Sequence, residues 1–296
     1  MTPHPLSGIY AAALTPLAPS GAPDLAALPR YLDFLAERGC HGALLLGTTG
    51  EGPSFSSAER QAIWSAAAEW RQSRPGFRLL AGTGTPSLTE TIEFTQSVFQ
   101  LGYEAAVVLP PYYYRNASQD GLFAWFAQLI EASVPKGRWL LGYHIPQVSG
   151  VALPPQLLAR LAAAYPERFG GLKDSSGDPA QAAAYIEALP GCAVLVGNDQ
   201  LLADAMQGGA SGAITAGANL WSPLLRQIYD GEPAAQDAVD PLRAAMDAHP
   251  PAPAFLKAML RGFHDVALGS VRAPLLDFDA EQAAAAAKAL AEAGYE

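Results

Sequence analysis

The chain is 296 residues long, 50% hydrophobic and 16% charged, enough apolar material for the core of one large α/β domain. Its net charge of −10 and scattered arginines leave no basic stripe, so nucleic acid is not an expected partner. Cys40 and Cys192 stand apart from any C-x-x-C spacing, Met1–Pro5 lacks a positively charged leader, and no apolar run reaches the roughly 18 residues of a membrane span; the expectations are a cytoplasmic location, no membrane, and neither a disulfide framework nor a zinc site.

Short apolar runs of β type alternate with alanine-rich stretches of helical character, the mark of βαβ units. Strands are predicted at 9–17, 42–48, 78–82, 105–109, 138–144, 170–173, 193–197 and 212–215. Helices are predicted between them, near 24–38, 57–73, 88–101, 119–133, 154–164, 179–188 and 200–207, several opened by Pro, Ser or Asp. Eight such units imply a closed (β/α)8 TIM barrel over residues 1–231. More helical text follows than one closing helix uses, so 232–296 is read as a C-terminal helical extension of the same domain, with Gly231-Glu232-Pro233 as the seam.

Barrels of this kind carry their chemistry at the C-terminal ends of the strands, so the residue closing each run is the one to inspect. Strand six ends in Lys173, within Phe169-Gly170-Gly171-Leu172-Lys173-Asp174-Ser175-Ser176-Gly177. Of the chain's four lysines, Lys136 and Lys288 lie in polar or helical surroundings and Lys257 falls in Phe255-Leu256-Lys257-Ala258-Met259-Leu260. Lys173 alone is predicted to ride on a buried strand. Burial disfavours the ammonium form and can leave a neutral amine, the species that attacks a carbonyl to build a Schiff base. The bland alternative is a lysine that closes its strand and pairs with Asp174 or another carboxylate.

The other strand ends agree with the chemical reading. Strand two ends in Gly47-Thr48-Thr49-Gly50-Glu51, where glycines permit a tight turn and hydroxyls with backbone N–H groups can hold a carboxylate. Strand four ends in Pro110-Pro111-Tyr112-Tyr113-Tyr114, strand five in Tyr143-His144-Ile145-Pro146 and strand seven in Gly197-Asn198-Asp199. A phenol beside a lysine can donate and recover a proton while an imine forms and breaks. Each run alone has an ordinary explanation: a turn, an aromatic patch, a core tyrosine with a satisfied hydroxyl. Five agreeing strand ends make coincidence the weaker account.

These runs, in this order and at these spacings, resemble the class I pyruvate-dependent lyases typified by dihydrodipicolinate synthase and N-acetylneuraminate lyase, over nearly the whole chain. The resemblance implies a Schiff base on Lys173, proton transfer by Tyr143, and a relay in which Thr48 links Tyr143 to Tyr113 of a neighbouring subunit. It also implies that Thr48 and Thr49 bind the pyruvate carboxylate, that Gly197 and Ile214 line the pyruvate site, and that the protein is a homotetramer built from tight dimers. No cofactor is implied beyond the covalent adduct on Lys173; the partners are a small 2-keto acid and an aldehyde.

The departures bear on the substrate. Dihydrodipicolinate synthases carry an arginine a few residues after the strand-five tyrosine, whose guanidinium can bind the semialdehyde carboxylate; this chain has Val148 there. The Ile145-Pro146 and Ser149-Gly150 pattern, and Asp199 at a position that binds substrate hydroxyls, look more like sugar-acid lyases, although Gln200 replaces the glutamate expected beside it. A lyase for a 2-keto-3-deoxy sugar acid or related hydroxy-keto acid is therefore expected, with His144 as a further group able to hydrogen-bond substrate or to be a satisfied structural histidine. A synthase-type condensation or a dehydratase on the same lysine stays open, as does a non-catalytic keto-acid-binding barrel. Histidines at 4, 41, 144, 249 and 264 make no H-x-H or H-x-x-x-H pair, so no metal is expected. Gly208-Gly209-Ala210-Ser211-Gly212 precedes strand eight, at the wrong end of the barrel for a phosphate cradle.

Overall fold

The computed structural model describes residues 3–296. Eight strands pair in sequence order into a closed barrel. In chain order the elements are β1 (Gly8–Ala12), α1 (Leu28–Glu37), β2 (Gly42–Leu45), α2 (Ser57–Arg71), β3 (Arg78–Gly82), α3 (Leu88–Gln100), β4 (Ala105–Val108), α4 (Gln119–Ser133), β5 (Trp139–His144), α5 (Pro146–Ser149), α6 (Pro155–Ala164), β6 (Phe169–Asp174), α7 (Pro179–Ala188), β7 (Ala193–Val196), α8 (Leu202–Gln207), β8 (Gly212–Thr215), α9 (Ala218–Tyr229), α10 (Gln236–Asp247), α11 (Ala252–His264) and α12 (Ala280–Glu292). This is the predicted (β/α)8 barrel followed by further helices. The strands buried along their whole length, such as Ala105–Val108 and Ala193–Val196, read as continuous apolar runs because a parallel sheet covered by helices has no wet face.

β1 and β2 are shorter than the apolar runs that predict them. Residues 13–17 and 46–48 leave the ladder after Ala12 and Leu45; apolar text continues there because the loops themselves are buried, with Ala13, Leu14, Leu17 and Leu46 each at most 3% exposed.

By contacts the chain falls into two compact units. One comprises Arg78–Ile214 with the N-terminal residues up to Gly8; the other comprises Ile9–Phe77 and Thr215–Glu296. In the first, β3 through β8 form consecutive parallel pairs. Between β5 and β6 the register slips: Leu140 lies opposite Phe169, but Leu141 lies opposite Gly171. Gly170 is the extra residue of a bulge, and the slip sets Tyr143 opposite Lys173 and His144 opposite Asp174. Only glycine fits here. A Cβ on Gly171, at φ 127°, would stand 2.0 Å from the Ala193 carbonyl oxygen, and one on Gly170 would stand 2.8 Å from Trp139 Cβ.

In the second unit β1 pairs with β2, and α9 through α12 pack together. The Tyr31 hydroxyl donates to Asn219, whose amide in turn reaches the Ala12 carbonyl at 3.0 Å, so α1, β1 and α9 are joined by one buried polar chain. Helix α2 starts in a full capping box, with Ser56 accepting from Glu59 N and Glu59 accepting from Ser56 N.

Candidate active site

Lys173 is 4% exposed at the end of β6, and its Nζ lies 4.2 Å from the centroid of the Tyr143 ring on β5. No hydrogen bond or ion pair joins the amine to any described residue. The pairing with Asp174 is absent for a geometric reason: alternate residues of a strand point to opposite faces. Asp174 turns away and accepts hydrogen bonds from Ser176 N at 3.0 Å and Ser176 Oγ at 3.1 Å. Burial nevertheless raises its carboxyl above the ordinary value, against the lowering by Ser176.

His144 follows Asp174 to the outer face. Its ring meets Tyr185 of α7, with centroids 5.5 Å apart, and its Nδ1 accepts from Leu153 N at 3.1 Å. Burial pushes the imidazole down to about 4. Of the two roles left open by the sequence, these contacts are those of a structural histidine, with Nδ1 taken by Leu153 N and the ring turned toward α7. Asp199 is fully enclosed at the start of a 3-10 turn, Asp199–Leu201, capped by Asn198.

Gly197 brings the end of β7 against the residue after Asp174. Its N–H reaches the Asp174 carbonyl at 2.6 Å, and a Cβ would fall 2.0 Å from Ser175 Oγ. Ile214 is buried on β8, next to Ala213, which pairs with Val196 of β7. The turn α5 is fastened to the same rim by Gln147 Nε2, which donates to Ser175 O at 2.7 Å. Val148 on this turn is 57% exposed, and Gly150 closes it in the left-handed region at φ 66°. The Arg115 side chain lies against Gly150: a Cβ there would meet its Cδ at 2.8 Å and Nε at 3.0 Å. Among the described residues its only hydrogen bond is a long one from Nε to Tyr112 O, 3.4 Å. Tyr113 and Tyr114 are 76% and 71% exposed, edge to face at 5.3 Å.

Thr48 and Thr49 belong to the other unit, in the loop after β2. Thr48 is exposed and Thr49 half-buried. The loop is closed by hydrogen bonds from Glu51 N to Thr48 O and from Gly52 N to Gly47 O, both 3.1 Å, and by Thr15 Oγ1 donating to Gly50 O at 2.7 Å. One contact here has no counterpart in the sequence pattern, the pairing of Lys257 with Glu51. Lys257 on α11 is as buried as Lys173, and its Nζ donates to Glu51 Oε1 at 2.8 Å and to Ser270 O at 2.6 Å. Burial lowers the Lys257 amine, and Glu51 works against that lowering. The available signal was a lysine flanked on both sides by apolar residues in a helix.

Among the described residues no group of three or more His, Cys, Asp or Glu side chains could hold a metal ion, and no helix is long and apolar enough to cross a membrane. A sequence model of the dihydrodipicolinate synthetase family matches residues 5–293. Among curated relatives, an uncharacterised DapA-like lyase of Chloroflexus aurantiacus is 40% identical over 94% of this chain and 94% of its own length. 4-Hydroxy-tetrahydrodipicolinate synthase 1 of Streptomyces coelicolor is 34% identical over 95% of this chain and 92% of its own length. Among solved structures, the synthase of Cyanidioschyzon merolae with lysine bound superposes with a TM-score of 0.90 at 25% identity, covering 99% of this chain and 100% of that one. YagE of Escherichia coli, a member of the dihydrodipicolinic acid synthase family in complex with pyruvate, gives the same four figures. The chain belongs to the dihydrodipicolinate synthetase family and is a class I aldolase or lyase of that family.

Proposed function

We propose that the protein cleaves or forms a 2-keto-3-deoxy sugar acid, or a related hydroxy-keto acid, with pyruvate and an aldehyde as the other side of the reaction, through a Schiff base on Lys173. The observation that carries the reading is the Lys173 amine, buried on the ring of Tyr143 with no carboxylate holding it. An amine so left is available to a ketone. It adds to C2 of the keto acid, and loss of water gives a protonated imine that draws electrons from C3. Tyr143 takes the proton of the C4 hydroxyl, the C3–C4 bond breaks, and the aldehyde leaves. The enamine is then protonated at C3, and hydrolysis frees pyruvate and the amine. On the family resemblance, Thr48 and Thr49 hold the pyruvate carboxylate, Gly197 and Ile214 line the pyruvate, and Tyr113 completes a relay through Thr48 from a neighbouring subunit. No metal or other cofactor takes part, and the cytoplasm is the inferred location.

The test is reduction by borohydride in the presence of pyruvate, followed by peptide mass mapping. The expected adduct is on Lys173; an unmodified Lys173, or an adduct mainly on Lys257, overturns the assignment. The sugar-acid choice rests on Val148, which offers no charge to a second carboxylate. A synthase-type condensation is favoured by a different observation: Arg115, unclaimed by any carboxylate and lying against Gly150, carries a guanidinium able to bind one. Assays of pyruvate with aspartate semialdehyde, beside a panel of sugar acids, separate the two. Efficient condensation with every sugar acid inert overturns the first reading, and loss of that condensation in Arg115→Leu by roughly 30-fold or more then assigns the carboxylate to Arg115.

A further inference from the structure

The buried Glu51–Lys257 pair takes no part in the chemistry above, yet it sits directly behind a loop that does. Both side chains are withdrawn from water, Glu51 to 0% and Lys257 to 3% exposure. A buried ion pair is weak evidence for stability, because well-packed apolar residues often serve as well or better; its best-attested use is to specify one geometry. The geometry here needs specifying. The loop after β2 is bracketed by two non-glycine residues in the left-handed region, Leu46 at φ 55° and Glu51 at φ 57°, conformations that persist only where the surroundings over-determine them.

At Glu51 the surroundings do so. One carboxylate oxygen accepts from Lys257 Nζ at 2.8 Å and the other from Arg272 N at 2.6 Å. Each donor is itself anchored. Lys257 also donates to Ser270 O at 2.6 Å, while the Arg272 guanidinium donates to Gly21 O and Ser54 O, each at 2.7 Å, and packs over the Phe55 ring at 4.4 Å. Glu51 is therefore gripped by α11 and the 270–272 segment, and Arg272 also grips the chain three residues beyond Glu51. Close packing removes slack on the near side: a Cβ on Gly50 would stand 2.5 Å from Ala13 O, and one on Gly52 2.0 Å from Leu46 O. Thr48, exposed, and Thr49, half-buried, lie between a fixed start and a clamped end.

We propose that Glu51 and Lys257, with the Arg272 amide, are positioning residues that hold the Gly47–Gly50 turn in the conformation that binds the carboxylate of the 2-keto acid. The inference rests on the assignment of Thr48 and Thr49 to that carboxylate. Loss of the clamp weakens capture of the keto acid more than it alters the amine.

The experiment is the pyruvate dependence of borohydride trapping at Lys173 in wild type, Glu51→Gln and Lys257→Met. The glutamine keeps size but sets an amide where two acceptor oxygens were needed; the methionine keeps volume and removes the ammonium. In both variants the half-saturating pyruvate concentration is expected to rise about tenfold or more, while the trapping rate at saturation stays within about threefold. A purely structural pair would instead lower Tm with half-saturation unchanged, and half-saturation within twofold of wild type in a folded variant overturns the proposal. Where neither variant folds, hydrogen exchange in the wild-type chain decides: the Glu51 and Gly52 amides, which donate to Thr48 O and Gly47 O, should be protected like those of β2, and rapid exchange of these two overturns the clamp. Wild type that traps no pyruvate on Lys173 overturns the functional reading and this inference with it, whereas trapping that is normal in all three proteins overturns this inference alone.

Discussion

Lys173 and Lys257 show what decides the use of a buried lysine. Both are 4% exposed, so burial by itself does not distinguish them. Lys257 meets a carboxylate at 2.8 Å, and the pair is held as an ion pair; Lys173 meets an aromatic face and nothing acidic. The proposed chemistry divides accordingly, with nucleophilic addition at Lys173 and positioning at Lys257. Tyr143 is the residue whose proposed role is most open to test, because its ring packs on the amine while its hydroxyl is assigned to proton transfer. Tyr143→Phe keeps the ring and removes the hydroxyl. Turnover is expected to fall by roughly 100-fold or more, the range of general acid–base contributions, with pyruvate trapping at Lys173 still present. Turnover within about threefold of wild type would take Tyr143 out of that role.

At the scale of elements, the bulge in β6 has the largest chemical consequence. A slip of one residue exchanges the faces of every side chain beyond it; with Gly170 in the ladder, Tyr143 would lie opposite Leu172 instead of Lys173. The bulge survives because Gly171 has no Cβ to strike Ala193 O. Gly171→Ala is expected to destabilise the chain by on the order of 3 kcal/mol, from positive φ and backbone overlap together, and to slow pyruvate trapping in whatever folds. Thermal unfolding and mass mapping of the trapped peptide check the two parts. Wild-type Tm would show that the strand relaxes without cost and that the bulge is not what sets the register.

At the scale of the whole molecule, the exposed Tyr113 and Tyr114 are the feature a single chain does not account for. Two large aromatic side chains at 76% and 71% exposure are the kind of surface that subunit interfaces use. The assembly expected from the family resemblance is a tetramer of tight dimers, with Tyr113 entering a neighbour's site. Light scattering on the purified protein should give four times the chain mass. Tyr113→Ala should lower turnover while leaving pyruvate adducts on Lys173; a fully active monomer would remove Tyr113 from the relay.

The barrel and a buried strand ending in Lys173 were legible in the chain alone, because a parallel sheet covered by helices writes itself as short apolar runs and a lysine inside such a run stands out. The Gly-Thr-Thr-Gly turn and the Tyr143 strand end were legible for the same reason, as punctuation after those runs. What the sequence left undecided was direction and partnership. That His144 points outward to Leu153 and Tyr185 and that Asp174 serves Ser176 follow from strand alternation combined with a register slip that no local pattern announces. The Glu51–Lys257 pair spans 206 positions of sequence, and only the packing of α11 behind the loop after β2 brings its two charges together. Periodicity reports which face of an element is apolar; which polar groups meet across elements is decided by tertiary geometry, where exclusion of water makes each unpaired charge costly enough to fix its partner.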